Sequence, residues 1–193
     1  MFASPLLAQD LLPVPKLTGQ LIDQSATLSA TDTAAINAQL ASIASQRGSQ
    51  VVVLLVPSTG IEPIADYANR VANTWKIGRK GVGDGVLLVA AIQDRKVRIE
   101  VARNLEGAIP DVTAKRIIRE AIVPAFQQAQ YAKGIDAALH RIDERLALEN
   151  LPAPSIDAGN GSAQGANAAG LEDLLPLLMG GVFVGVMLRR MFG

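Results

Sequence analysis

The sequence predicts an α/β domain, a three-layer α/β/α sandwich around a mixed sheet, followed by a C-terminal helix that anchors it to a membrane. Three observations carry that prediction. Residues 50–56 and 86–92 are continuous apolar runs rich in β-branched side chains, the pattern of strands buried on both faces. Around them, apolar residues recur at three- and four-residue spacing, the period of helices that cover a sheet. Near the C-terminus, 174–188 carries no charge and stops at Arg189-Arg190.

The elements follow in chain order. Residues 1–13 form a lead-in: 1–9 are apolar and uncharged, and Leu6-Leu7-Ala8-Gln9 reads as the end of a secretory signal, while Pro13 and Pro15 favour extended chain. The domain occupies 14–150. Ser29-Ala30-Thr31-Asp32 matches a capping box; Ile36, Leu40 and Ile43 then repeat at helical spacing until Gly48 can end the turn. After the strand at 50–56, Pro57-Ser58-Thr59-Gly60 closes a turn and Pro63 opens a second helix with Ile64, Ala68, Val71 and Trp75 on one stripe. The glycine-rich stretch 76–85 reads as a tight, mobile connection into the strand 86–92. Gln93-Asp94-Arg95-Lys96 then turns the chain back into Val97, Ile99 and Val101, alternating with Arg98 and Glu100, so the second hairpin strand lies nearer an edge. A third helix starts near Val112 and is kinked or ended by Pro124; a fourth carries Ile135, Leu139, Ile142 and Leu146.

Residues 151–170, with Pro152, Pro154 and four glycines, have too little apolar surface to fold and predict a flexible linker. Residues 171–193 predict a membrane-anchor helix, although the uncharged run would reach only about 22 Å; an interfacial or partner-binding helix is the alternative, and the long linker argues against a core helix. With Arg189 and Arg190 on the cytoplasmic side, the domain faces the periplasm from a bacterial inner membrane, in agreement with the signal-like start.

Composition narrows the function. The 18 basic and 18 acidic residues cancel without a block of like charge, which argues against nucleic acid as a partner. The absence of cysteine excludes thiolate catalysis and iron–sulfur clusters, and a single histidine excludes a multi-histidine metal centre within one chain. Gly78, Gly81, Gly83 and Gly85 precede a strand instead of a helix and lack the phosphate-loop pattern, so no nucleotide is expected. His140 lies off its helix's apolar stripe, and no serine stands in a nucleophile-elbow context.

The acids in loops are the remaining candidates. Asp84 opens one hairpin strand and Glu106 and Asp111 follow the other, so the three belong to one end of an antiparallel hairpin, with Asp94 at the opposite end. Two readings stand: a hard-cation site for Ca2+ or Mg2+ held by Asp84, Glu106 and Asp111, or an ordinary turn residue, solvated residue and helix cap.

Val86-Leu87-Leu88-Val89, then 94–101 and Leu105-Glu106-Gly107-Ala108-Ile109-Pro110-Asp111, resemble the TPM-domain family of bacterial YgcG-like proteins and their thylakoid-lumen relatives. Asp23 with Leu28-Ser29, Trp75-Lys76-Ile77-Gly78, Ile122-Val123-Pro124-Ala125-Phe126 and Tyr131-Ala132-Lys133-Gly134-Ile135 extend the match to 14–148. The resemblance implies an α/β/α sandwich, export and C-terminal membrane spans. It also implies calcium binding in some relatives and acid phosphatase activity in the thylakoid branch, with Asp84, Glu106 and Asp111 at acidic positions of the motif. Where relatives carry glycines after the Ile-Glu-Val strand, this chain has Ala102 and Asn104, which predicts a different loop path. The expected function is a membrane-tethered periplasmic accessory module that binds another envelope protein, with a structural Ca2+; the alternative is a metal-dependent phosphatase.

Overall fold

The computed structural model describes residues 11–149; the signal-like start at 1–10, the linker at 151–170 and the membrane helix at 171–193 lie outside the described residues. The order is β1 (Leu21–Asp23), α1 (Ala30–Arg47), β2 (Gln50–Val56), α2 (Ile64–Trp75), β3 (Gly85–Ala91), β4 (Lys96–Val101), a 3-10 turn at Arg103–Leu105, α3 (Asp111–Ile117), a π turn at Ile118–Ile122, α4 (Val123–Phe126) and α5 (Tyr131–Leu146).

The strands form one mixed sheet in the order β1-β2-β3-β4. β1, β2 and β3 are parallel, and β4 returns antiparallel to β3 with Val86 opposite Val101 and Leu88 opposite Ile99. Side chains alternate across this sheet. Val51, Val53, Leu55, Val86, Leu88 and Ala90 pack with α1, α3 and α5, while Val52, Leu54, Val56, Leu87, Val89 and Ala91 pack with α2. Both central strands are therefore fully covered, which explains their lack of polar alternation.

The strand order advances in one direction, yet α1 and α2 lie on opposite faces. Two crossovers that step the same way over opposite faces must have opposite hands, so one of them departs from the right-handed rule for parallel β-α-β units.

Local signals are realised in detail. The Ser29 side chain accepts from the Asp32 N–H at the start of α1, and Gly48 ends that helix at φ 75°. Pro63 is the cap residue of α2. Pro124 does not end its helix. Having no N–H for the Glu120 carbonyl, it follows a π turn in which the Val123 N–H reaches the Ile118 carbonyl, and α4 continues to Phe126. The lead-in is a strap over α2: the Trp75 indole N–H donates to the Pro15 carbonyl at 2.7 Å, and Arg70 donates to the Leu12 carbonyl at 2.9 Å.

The connection 76–85 is tight, as expected, and is held by specific contacts. The Gly78 N–H donates to Gln50 Oε1 at 2.8 Å, and Gly85 lies so close to Ile77 that an added Cβ would stand 2.5 Å from the Ile77 carbonyl oxygen. Ala102 needs no left-handed backbone: it is extended at φ −66° and ψ 146°, and its N–H donates to the Gly85 carbonyl.

Candidate functional site

The hairpin brings the starts and ends of its strands together as the sequence implies, but the three expected metal ligands do not converge. Among the described residues, no group of three or more His, Asp or Glu side chains is arranged to hold a metal ion. Asp84 is fully buried. One of its carboxylate oxygens accepts the Arg79 backbone N–H at 2.7 Å and the other accepts Arg79 Nε at 2.6 Å. Asp111 is the first residue of α3 and pairs with Lys115 at 2.6 Å and Arg98 at 3.1 Å. Those cations hold its carboxyl below the usual value, Lys115 contributing most. Glu106 shares a groove of about 370 Å³ with Asp111, Arg98 and Glu100; Asp84 does not line it. As a set, these residues do not fit a divalent cation, because the most buried carboxylate already has a full-charge partner of its own.

At the opposite end of the sheet, the carboxyl ends of the parallel strands carry two further acids. Asp23 is the last residue of β1, a strand too short to leave a periodic signal, and its side chain organises the next turn. It accepts the Ser25 N–H and hydroxyl on Oδ1, and the Thr27 and Leu28 N–H groups on Oδ2, at 2.6 to 2.9 Å. Burial alone would raise its pKa; the hydrogen bonds, led by the Ser25 hydroxyl, outweigh that and hold it below the ordinary 3.8. Asp94, in the hairpin turn, accepts the Thr59 N–H at 2.8 Å, which with Ser58 keeps its carboxyl low and fastens the β2–α2 loop to the hairpin.

Beside this turn lies a groove of about 460 Å³ lined by Arg95, Lys96, Val97, Val123, Phe126 and Tyr131, among others. It opens at the carboxyl end of β3, beside Ala91 and Ile92. The Phe126 and Tyr131 rings meet edge to face with centroids 5.0 Å apart. Arg95 and Lys96 form no ion pair among the described residues. Two lining residues hold left-handed backbone without being glycine, Arg95 at φ 54° and Ala129 at φ 56°. Each such position costs about 1 kcal/mol or more, and strain of this kind gathers at functional sites. The return of the chain through α4 puts the aromatic rings beside Arg95 and Lys96. His140 is largely solvent-exposed, as its position off the stripe predicts.

Comparison with known proteins agrees with the resemblance. A family profile described as the TPM domain matches residues 21–145. The N-terminal domain of a protein from P. gingivalis is 30% identical with a TM-score of 0.62, covering 66% of this chain and 81% of that one. The BA42 protein of the psychrophilic bacterium Bizionia argentinensis is 20% identical (TM-score 0.56; 65% of this chain, 85% of that one). The N-terminal domain of a Corynebacterium glutamicum protein is 15% identical (TM-score 0.53; 82% and 97%). The latter two likenesses concern the fold alone. No protein of curated function matches significantly. With its motifs, sheet and matched span in agreement, the chain belongs to the TPM-domain family.

Proposed function

We propose that this TPM domain is a binding module of a membrane-tethered envelope protein, held on the periplasmic side by 171–193, and that it engages an anionic segment of a partner protein in the groove beside the hairpin turn. The observation that carries this reading is the pair of cations, Arg95 and Lys96, that have no ion-pair partner among the described residues and stand beside the Phe126 and Tyr131 rings. Cations near apolar ring surface suit a ligand with a negative group and an apolar flank, and the positive charge would steer its approach.

The test is recovery of partners from detergent-solubilised membranes. An Arg95→Glu, Lys96→Glu double variant is expected to lose at least about tenfold of the partner recovered by the wild type, since reversing two charges turns attraction into repulsion. Equal recovery would reject the groove as the binding surface. Orientation is tested separately: protease added to intact spheroplasts should cut the domain, and protection of the domain while exported controls are degraded would reject the periplasmic placement.

The metal-dependent phosphatase has weaker support, because Asp84 is engaged by Arg79 and only Glu106 and Asp111 share a groove. Purified protein is expected not to hydrolyse a generic phosphomonoester with Ca2+ or Mg2+ present. Hydrolysis that disappears in an Asp84→Ala, Asp111→Ala double variant would reverse this ranking.

A further inference from the structure

The mismatch between the acidic motif and a metal site has a specific physical origin in Arg79. Asp84 is fully buried, and its side chain is grasped on both oxygens by one residue, through the Arg79 main-chain N–H and Nε. The guanidinium is also seated. It lies against Gly48, where an added Cβ would come within 2.9 Å of Cζ and both terminal nitrogens, at the C-terminal end of α1. A helix C-terminus carries partial negative charge, so this position favours a cation from a second side. The same short loop is anchored around the pair: the Val82 and Gly83 N–H groups donate to the Arg79 carbonyl, Gly78 to Gln50, and Asn104 binds the Val82 carbonyl.

We infer that the Arg79 guanidinium is the resident cation of this site, a built-in substitute for a divalent ion that ties the 76–85 loop to α1 and to the start of β3. The domain therefore folds without dependence on Ca2+. Removing the guanidinium leaves a buried carboxylate with no counter-charge facing the space the guanidinium vacates, which a hard cation can enter.

Thermal melting of the full chain in EDTA and in millimolar Ca2+ tests this. The wild-type Tm should move by less than about 1 °C, whereas a native site filled at 100 times its Kd raises the Tm of a domain this size by several degrees. Arg79→Ala should lower the Tm in EDTA by about 10 °C, as expected for a buried carboxylate left unpaired, and recover part of the loss in Ca2+. Arg79→Lys, which keeps a positive charge, should fall in between and ignore Ca2+. Adding Asp84→Asn to Arg79→Ala should abolish the Ca2+ response. A wild-type Tm that rises with Ca2+ would overturn the inference on its own, even if Arg79→Ala does not fold. So would an Arg79→Ala protein as stable as the wild type, or one whose loss Ca2+ does not touch.

Discussion

At the scale of single residues, the same chemical type plays different parts according to its partners. Asp23 is a carboxylate spent on backbone N–H groups: it closes the turn after β1 by accepting from Ser25, Thr27 and Leu28. Because hydrogen bonding lowers its folded pKa beneath the ordinary 3.8, its contribution is complete above the unfolded pKa and is lost as pH falls through the folded value. Asp23→Asn replaces one acceptor oxygen by a donor, and we expect a loss of about 1–2 kcal/mol at pH 7 in urea unfolding. The difference between variant and wild type should shrink below about pH 4. A difference that stays constant down to pH 2 would show that the carboxylate's charge is irrelevant to the turn. Gly85 acts by having no side chain. With the Ile77 carbonyl 2.5 Å from where a Cβ would stand, and backbone instead of a flexible tip in the way, Gly85→Ala is expected to cost about 1–3 kcal/mol or more, read from the same unfolding curves.

At the scale of elements, α2 and its strap show how a helix is secured on a sheet face. Among the described residues α2 is the one helix on its face of the sheet, with Tyr67, Ala68 and Val71 buried and Val14 and Trp75 packed against that core. Arg70 joins three parts: it pairs with the nearly buried Glu62 through two hydrogen bonds, donates to the Leu12 carbonyl and stands 5.4 Å from the Tyr67 ring centre. Arg70→Ala should cost about 1–3 kcal/mol, because Glu62 loses its counter-charge where water reaches it poorly. Glu120→Gln removes only exposed pairs with Arg141 and Arg119 and should leave the urea midpoint unmoved within error. The strap itself rests on fewer bonds. Trp75→Phe deletes the donor to Pro15, and trypsin should then cleave after the exposed Lys16 faster than in the wild type. Unchanged cleavage would mean that apolar contact alone seats the lead-in.

At the scale of the whole molecule, the sheet separates two kinds of chemistry by its ends. The amino end of β2 and β3 carries Asp84 and Arg79 as an internal pair, whereas the carboxyl end carries the Asp23 and Asp94 turns and the groove with Arg95 and Lys96. The ligand binding proposed above would use the second end, where Arg95 and Lys96 form no ion pair among the described residues, whereas at the first end Arg79 and Asp84 are paired with each other. Ionic strength offers a direct check on that division. Partner binding through Arg95 and Lys96 should weaken as salt rises from 50 to 500 mM, because partly exposed charges are screened. Salt-independent binding would point to an apolar contact elsewhere on the surface.

Much of this architecture was readable from residue order. The buried strands announced themselves by unbroken apolar runs, α1 by the Ser29 cap and Gly48, α5 by Ile135, Leu139, Ile142 and Leu146, and the hairpin by 93–96, because these are local patterns whose meaning depends on a few neighbours along the chain. Even the meeting of Asp84 with the end of β4 followed from antiparallel geometry. What residue order could not supply was which side chain would claim each charge. The short β1 was fixed by pairing with β2, the opposite hands of the two crossovers by which face each helix covers, and the π turn by the conflict between Pro124 and a helix that the core holds in place. Arg79 is five residues from Asp84 and Phe126 is thirty-one from Arg95, yet one pair neutralises a charge and the other frames a cationic groove. Those outcomes belong to tertiary structure because an electrostatic partner is chosen by distance and burial in space, to which sequence separation is blind.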